Sequence, residues 1–207
     1  VNTVGGIIST TPIENLKASL EYAYQFGHYA STTNGGKRRA WALQAMADYT
    51  LKDVRYMPVI GLGYTYLSGD KNTSDNKYKA WHPMYEDQAL NSIPNVLFAN
   101  TNLQIINAKA SLKPLEDVTL SVIYGNYRLA QKVNSLFGYD SDYDSATYSL
   151  NGKKSLGDAL DIVATYDYTE DVQLGLGLGL FFPGKAVSNT RSDRTASQLI
   201  GSMKVTF

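Results

Sequence analysis

The chain has 207 residues with 19 Lys and Arg against 19 Asp and Glu, and this zero net charge disfavours a nucleic-acid-binding surface. It contains no cysteine, which excludes zinc–thiolate sites, iron–sulfur clusters, covalently attached haem and thiol catalysis. The sequence has no run of about eighteen apolar residues, and it therefore predicts no transmembrane helix.

The first half of the chain predicts β-strands, because apolar and polar residues alternate with a period of two. Residues 1–9 are expected to be the end of a strand that precedes the first complete one. Pro58 lies inside the third complete strand, where a proline requires a bulge. The alternate apolar positions run through three segments: Leu16 to Phe26, Trp41 to Tyr49 and Tyr56 to Tyr66.

The second half continues this alternation. The adjacent Ile105 and Ile106 interrupt it, and two neighbouring apolar residues predict a bulge there. About eight complete strands are expected in all, the last five in segments 102–113, 118–125, 160–168, 172–180 and 199–207.

The predicted loops alternate strictly between short and long. This asymmetry is typical of outer-membrane barrels, whereas a soluble β-sandwich, the alternative, has no reason for it. The predicted fold is therefore an all-β antiparallel transmembrane β-barrel, a single domain over residues 1–207. It is expected to be the C-terminal part of a larger barrel, since bacterial barrels have even strand numbers; the alternative is a complete eight-stranded barrel with a short extension. The long loops are 29–37, 69–100, 131–157 and 183–194.

Aromatic residues support a membrane location for these strands. The chain has 16 tyrosines, and tyrosine suits the boundary between lipid and water. Tyr56 and Tyr66 are expected to lie about 25 Å apart along the membrane normal, which matches the apolar band of a barrel. Phe207 ends the chain in phase with the apolar face, which resembles the C-terminal signal read by the bacterial barrel-assembly machinery.

Several short motifs carry a family resemblance. They are the run from Gly61 to Asp70, the segment 80–85 (Ala-Trp-His-Pro-Met-Tyr), Asn102, and the turn 110–114 ending in Lys-Pro. Over residues 38–184 the chain resembles the alginate-export family of outer-membrane porins. The resemblance implies a barrel of about eighteen strands, located in the bacterial outer membrane. It also implies passive diffusion or export of a small solute or a polysaccharide.

Charged residues at inward positions are expected to line the pore. A channel for an anionic polymer requires a run of inward cations, yet the inward positions here carry both signs. This departs from an alginate channel, and cross-strand ion pairs are an alternative role for the same residues. The expected pore-lining residues are Lys17, Arg55, Lys109 and Lys204 against Glu21, Asp48, Asp161 and Asp167.

Two loop features suggest ligands. Asp70, Asn72 and Asp75 alternate oxygen-bearing side chains and form a weak calcium candidate, with a solvated loop as the alternative; an Asp-rich run at 140–144 has the same two interpretations. The basic residues 37–39 lie at the outer end of a strand, where they are expected either to bind lipopolysaccharide phosphates or simply to be exposed. No other cofactor is expected.

Catalysis is not expected. The only two histidines, His28 and His82, are both expected at or in outer loops, and no residue pattern indicates an oxyanion hole. The expected function is therefore a diffusion channel. The alternatives are a structural or adhesive barrel that acts through its extracellular loops and a barrel that sheathes a partner protein.

Overall fold

Nine long strands form one antiparallel sheet in a computed structural model of the protein, which describes residues 1–29, 36–72, 75–84, 89–139, 145–187 and 194–206. The sheet order is β1-β2-β3-β4-β6-β7-β10-β11-β12, with the short β5 parallel to β3 and a separate hairpin of β8 and β9. The predicted all-β antiparallel architecture is confirmed. The elements are β1 Asn2–Ile13, β2 Leu16–Tyr29, β3 Gly36–Thr50, β4 Val59–Leu67, β5 Lys77–Tyr78, α1 Ser92–Leu97, β6 Leu103–Leu115, β7 Val118–Leu129, β8 Ser135–Tyr139, β9 Ser145–Ser149, β10 Ser155–Asp167, β11 Val172–Pro183 and β12 Ala196–Val205.

Strand register places the alternate apolar residues on one face, which we call the outer face. Directly paired residues in a sheet point to the same side. One row therefore crosses five strands from Leu62 through Ala108, Tyr124 and Leu160 to Leu180. Many large side chains of this face are uncovered: Leu199 is 71% exposed and Met203 69%. The predicted grouping of apolar positions is confirmed.

The connections between sheet strands follow the predicted alternation in length except around β3, where the β2–β3 connection has six residues and the β3–β4 connection has eight. Two-residue turns join β1 to β2 and β6 to β7, and four residues join β10 to β11. At the opposite end, the β4–β6 connection contains β5 and α1, and the β7–β10 connection contains the β8–β9 hairpin. We call the two ends of the sheet the short-turn end and the long-loop end.

Two local expectations are wrong at the start of the third predicted strand. Tyr56 and Met57 have positive φ values of 69° and 43°, which belong to a turn. β4 therefore begins at Val59, and Pro58 precedes the strand instead of lying in a bulge. Tyr56 and its neighbour Arg55 lie in the turn between β3 and β4, so the predicted spacing of Tyr56 and Tyr66 along one strand does not hold.

The predicted bulge at Ile105 and Ile106 is also wrong. The β6–β7 register is continuous from Leu103 to Leu112, and it shifts only near the turn, between Leu112 and Leu115. Ile106 belongs to the outer face and is 50% exposed, whereas Ile105 lies on the opposite, inner face and is fully buried. Two adjacent isoleucines occur because both faces of the sheet are apolar at this height.

The inner face is covered near the long-loop end by residues 89–102, which we call the inner segment. This segment contains α1, which contacts β8, β10, β11 and β12. The Phe98 ring meets the Phe181 ring edge-on at a centroid distance of 5.6 Å. The buried core therefore lies on the inner face, between segment and sheet: Leu67, Ala89, Ile93, Phe98, Leu103, Ile105, Tyr127, Leu129, Leu136, Leu150, Leu156, Ala159, Phe181 and Ala186.

Among the described strands, β1 and β12 each pair on one side only, and the sheet is not closed. β1 pairs with β2 from Asn2 to Ile13 and thus extends beyond the predicted end at residue 9. No helix in the described ranges is both long and apolar enough to cross a membrane.

Candidate functional site

Four of the predicted pore-lining residues share one row on the inner face. Lys17 pairs with Asp48, Asp48 with Gly61, and Gly61 with Lys109. The row continues through Ile123 to Asp161 on β10. Charges of alternating sign therefore lie at one height of the wall, although they come from positions far apart in the sequence. We call Lys17, Asp48, Lys109 and Asp161 the charge row.

The other four predicted residues lie elsewhere. Glu21 occupies the inner face of β2, four residues from Lys17 toward the long-loop end. Asp167 and Lys204 both flank Gln173 in a row near the short-turn end, where Gln173 Nε2 donates to Asp167 Oδ1 at 2.7 Å. Arg55 lies in the β3–β4 turn with its guanidinium 4.6 Å from the Tyr56 ring centre, so it belongs to the turn and not to the strand.

The charge row is not joined by ion pairs. Within the described ranges only Lys52–Glu14 and Lys79–Asp75 lie within 4.0 Å, and both pairs are in turns or loops. Gly61 leaves room for the Asp48 carboxylate, because a Cβ at residue 61 would overlap Asp48 Oδ1. The expectation that these residues stiffen the wall as ion pairs therefore receives no support.

A groove of about 370 Å³ lies beside the charge row. Asp48 and Lys109 contribute to its lining, and Gly61 and Gly63 between them supply no side chain to fill it. Leu90 of the inner segment forms one border. Small inner-face residues thus keep open space next to two opposite charges, which is an arrangement suited to a hydrated polar solute.

Asn91 anchors the inner segment to the sheet. Its Nδ2 donates to the Ile123 carbonyl oxygen at 3.1 Å. Its Oδ1 accepts hydrogen bonds from Asn107 Nδ2 at 3.2 Å and from the Tyr127 hydroxyl at 3.0 Å. All three polar side chains are buried, so each needs these partners. This network fixes where the segment crosses the inner face.

Asp161 connects the charge row to the inner segment. The backbone N–H of Ser92 donates to Asp161 Oδ2 at 2.8 Å, while Asp161 Oδ1 is buried and has no hydrogen-bond partner among the described residues. A second groove of about 190 Å³ is lined by Asp161, Ser92 and the glycine face of β11. The inner segment therefore separates two open spaces along the wall.

Two glycines, Gly125 and Gly179, leave the space that the inner segment occupies. A Cβ at Gly125 would overlap Asn91 Oδ1 and lie 2.9 Å from Asn107 Nδ2. A Cβ at Gly179 would lie 2.7 Å from Ser92 Oγ. A glycine inside a strand often marks such a close approach.

The calcium candidate is occupied by protein donors. Asp70 accepts hydrogen bonds from the backbone N–H groups of Asn72 and Lys79, and Asp75 accepts them from the Lys77 N–H and from Lys79 Nζ. The hydrogen bond from the Lys79 ammonium lowers the pKa of Asp75. The described His, Cys, Asp and Glu side chains form no group of three or more that could hold a metal ion. The calcium hypothesis therefore has no structural support here.

Other predicted residues have structural roles or lie outside the described ranges. The His82 backbone is held on both sides by the buried Gln25 side chain, whose Nε2 donates to the His82 carbonyl oxygen at 2.7 Å. His28 pairs with Lys37 near the end of β2, at the long-loop end of the sheet. Phe207 and residues 140–144 lie outside the described residues.

The residues that hold the inner segment were missed by the sequence analysis. Asn91 and Ser92 belong to a stretch treated only as a long outer loop, and Tyr127 lies just beyond a predicted strand end. One available signal was Gly125 in a strand otherwise rich in large residues, since it indicates close approach of another group. Ile105 was a second signal, because an apolar inward residue requires a cover.

Comparison with known proteins identifies a family. A family model described as alginate export matches residues 4–201. The match covers nearly the whole chain and extends beyond the 38–184 range of the motif resemblance. No curated protein matches the chain.

Proposed function

The chain belongs to the alginate-export family, and we propose that it forms channel wall in the bacterial outer membrane, through which a polar solute or a polysaccharide segment diffuses passively. The family is one of export porins and not of enzymes. In this proposal the outer face lies against lipid, the inner face encloses water, and the long-loop end faces the outside of the cell.

The distribution of exposed apolar residues carries the proposal. A soluble sandwich would cover its apolar face and leave its polar face in water. Here the covered face is the one that bears the charge row, whereas leucine, tyrosine and methionine side chains of the outer face are uncovered. An apolar patch that spans nine strands has no stable state in water, and a lipid surround supplies the missing cover.

The charge row favours solutes that are neutral or carry both charges. Lys17 and Asp48 lie on adjacent strands, and Asp48 and Lys109 are two strands apart, or about 10 Å. Opposite charges at one height produce a field along the wall, which orients a dipolar solute. An anionic polymer such as alginate would meet a carboxylate beside each ammonium group. We therefore propose neutral or zwitterionic polar solutes over polyanions.

The inner segment sets the width of the path in this proposal. It crosses the inner face between the grooves bordered by Leu90 and by Ser92, and Asn91 fixes it between them. A solute would pass through the grooves beside the segment, in contact with the charge row. Water fills such polar grooves readily, so no binding step is required for passage.

Conductance in planar bilayers tests the proposal with the full-length protein. Ohmic single-channel steps with weak ion selectivity are expected. Asp48→Asn should shift the reversal potential toward anion selectivity and Lys109→Gln toward cation selectivity, whereas Lys52→Gln in a turn should shift it little. Absence of conductance from correctly inserted protein would contradict the proposal and favour a structural or adhesive barrel.

A further inference from the structure

The three basic residues at the start of β3, residues 37–39, point alternately to the two faces of the sheet. The Arg38 side chain turns inward: it is only 4% exposed, and its Nη1 donates to the Ala80 carbonyl oxygen at 2.6 Å. Lys37 and Arg39 point to the outer face and are exposed. Two of the three cations are therefore available to the lipid side of the wall, and the third supports the loop.

A third cation joins them through the β3–β5 pairing. β5 runs parallel to β3, with Lys77 directly opposite Lys37. Side chains at directly opposite positions point to the same side, with Cβ atoms about 5 Å apart. Lys77 is exposed as well. We call Lys37, Arg39 and Lys77 the outer cation cluster.

Asp75 is the described carboxylate that interacts with this cluster, through the charge of Lys77, but its ion pair is with Lys79. Neither described ion pair includes a member of the cluster. The nearby Asp75 carboxylate is engaged by Lys79 Nζ at 2.8 Å and by the Lys77 backbone N–H. Like charges placed directly opposite each other destabilise a sheet. An external anion between Lys37 and Lys77 would remove that repulsion.

The surface below the cluster is aromatic. Phe26 pairs with Arg39 on the outer face, and Trp41 lies two residues further along β3. The Trp41 ring stacks on Tyr66 at a centroid distance of 4.5 Å and an interplanar angle of 19°. Tryptophan and tyrosine occupy the headgroup level of a membrane. Along the strand, Arg39 therefore lies about 7 Å and Lys37 about 13 Å beyond Trp41, on the side of the long loops.

We propose that the outer cation cluster binds a phosphate group of the phosphorylated glycolipid of the outer leaflet, with the acyl chains against the aromatic surface below. Arg39 offers a bidentate guanidinium, and the two lysines supply point charges on either side. The inference rests on the proposed membrane placement, which puts the long-loop end in the outer leaflet. The ligand class is a phosphomonoester on an acylated sugar.

Lipid binding to the full-length protein in detergent, followed by native mass spectrometry, tests this site. Bisphosphorylated lipid A is compared with enzymatically dephosphorylated lipid A and with phosphatidylglycerol. The variant Lys37→Gln/Arg39→Gln/Lys77→Gln should bind bisphosphorylated lipid A about 100-fold more weakly, since each cation near an anionic leaflet contributes a factor of about five. The matched variant Lys52→Gln/Arg55→Gln/Lys113→Gln removes three cations at the short-turn end and should bind like the wild type.

Equal affinity of the wild type and the cluster variant, or equal affinity for lipid A with and without phosphate, would overturn the inference. Stronger binding of phosphatidylglycerol than of lipid A would also overturn it. The gel mobility of unheated, folded protein verifies that both variants fold. Conductance separates this outcome from failure of the channel proposal: a conducting protein without the phosphate preference refutes the site alone, and a silent, inserted protein that keeps the preference refutes the channel alone.

Discussion

The Gly125→Ala substitution, which adds one methyl group, should release the inner segment from the inner face of the sheet. A Cβ there would overlap Asn91 Oδ1 and lie 2.7 Å from Tyr127 Cε2. The buried amide of Asn91 must then move, because the strand backbone around residue 125 is held by β6 and β10 on both sides. The Gly125→Ala substitution therefore perturbs the anchor without removing any existing side chain.

The structure sets the size of this effect. Displacing Asn91 breaks three hydrogen bonds: to the Ile123 carbonyl, from Asn107 Nδ2 and from the Tyr127 hydroxyl. At about 1 kcal/mol each, the docked segment loses about 3 kcal/mol relative to the undocked one. This corresponds to an approximately 100-fold shift in the docking equilibrium. Asn91→Ala removes the same hydrogen bonds without a clash and should produce a similar shift.

Hydrogen exchange measured by mass spectrometry detects this change directly. Backbone amides of residues 89–102 should exchange about 100-fold faster in Gly125→Ala and Asn91→Ala, while strand amides remain protected. Gly177→Ala is the matched control, since a Cβ there would meet only Val163 Cγ2, at 4.0 Å. Unchanged exchange of the inner segment in both anchor variants would refute the role assigned to Asn91.

Two further predictions concern the outer face and one turn. Leu176→Arg should destabilise the inserted protein by about 2 to 4 kcal/mol, whereas Gly177→Ser on the inner face should be tolerated; urea unfolding from vesicles compares them, and equal loss would contradict the facing. The Lys52 ammonium lowers the pKa of Glu14, so this pair stabilises the fold above the unfolded pKa and its contribution is lost as pH falls through the lowered value. Lys52→Gln should accordingly reduce stability at neutral pH but not in acid well below 4.5, and a reduction of equal size at both pH values would contradict this reasoning.

The sheet was predictable from the sequence because its outer face obeys one simple rule. Every strand presents its apolar side to the same surroundings, so the period of two persists across the wall. The run from Val172 to Leu180 is the clearest case, and the register of β11 with β10 and β12 follows it without interruption. Most of the loop asymmetry was predictable for the same reason, since a loop begins where the alternation stops. The β2–β3 and β3–β4 connections, of six and eight residues, do not follow it.

The inner face does not follow this alternation, and its packing against the inner segment was not predictable from the sequence. One part of the inner face is exposed to water and another part packs against the inner segment. Ile105 and Lys109 therefore lie on the same face, although Ile105 is buried and Lys109 borders a groove. Because the period of two allows one apolar residue in each pair, Ile105 next to Ile106 was interpreted as a bulge. The Asn91 contacts join positions 16 to 36 residues apart, and no local pattern encodes such pairings. Tyr56 was misplaced because residue type alone does not indicate its positive φ.

A nitroxide scan along β11 in lipid bilayers tests the assignment of the two faces most directly. The chain contains no cysteine, so single cysteines can be placed and labelled without background. Labels at Leu174, Leu176 and Leu178 should collide preferentially with dissolved oxygen, and labels at Gly175 and Gly177 with a water-soluble nickel chelate. The opposite pattern, or accessibility without a period of two, would contradict a wall with lipid on its outer face and water on its inner face.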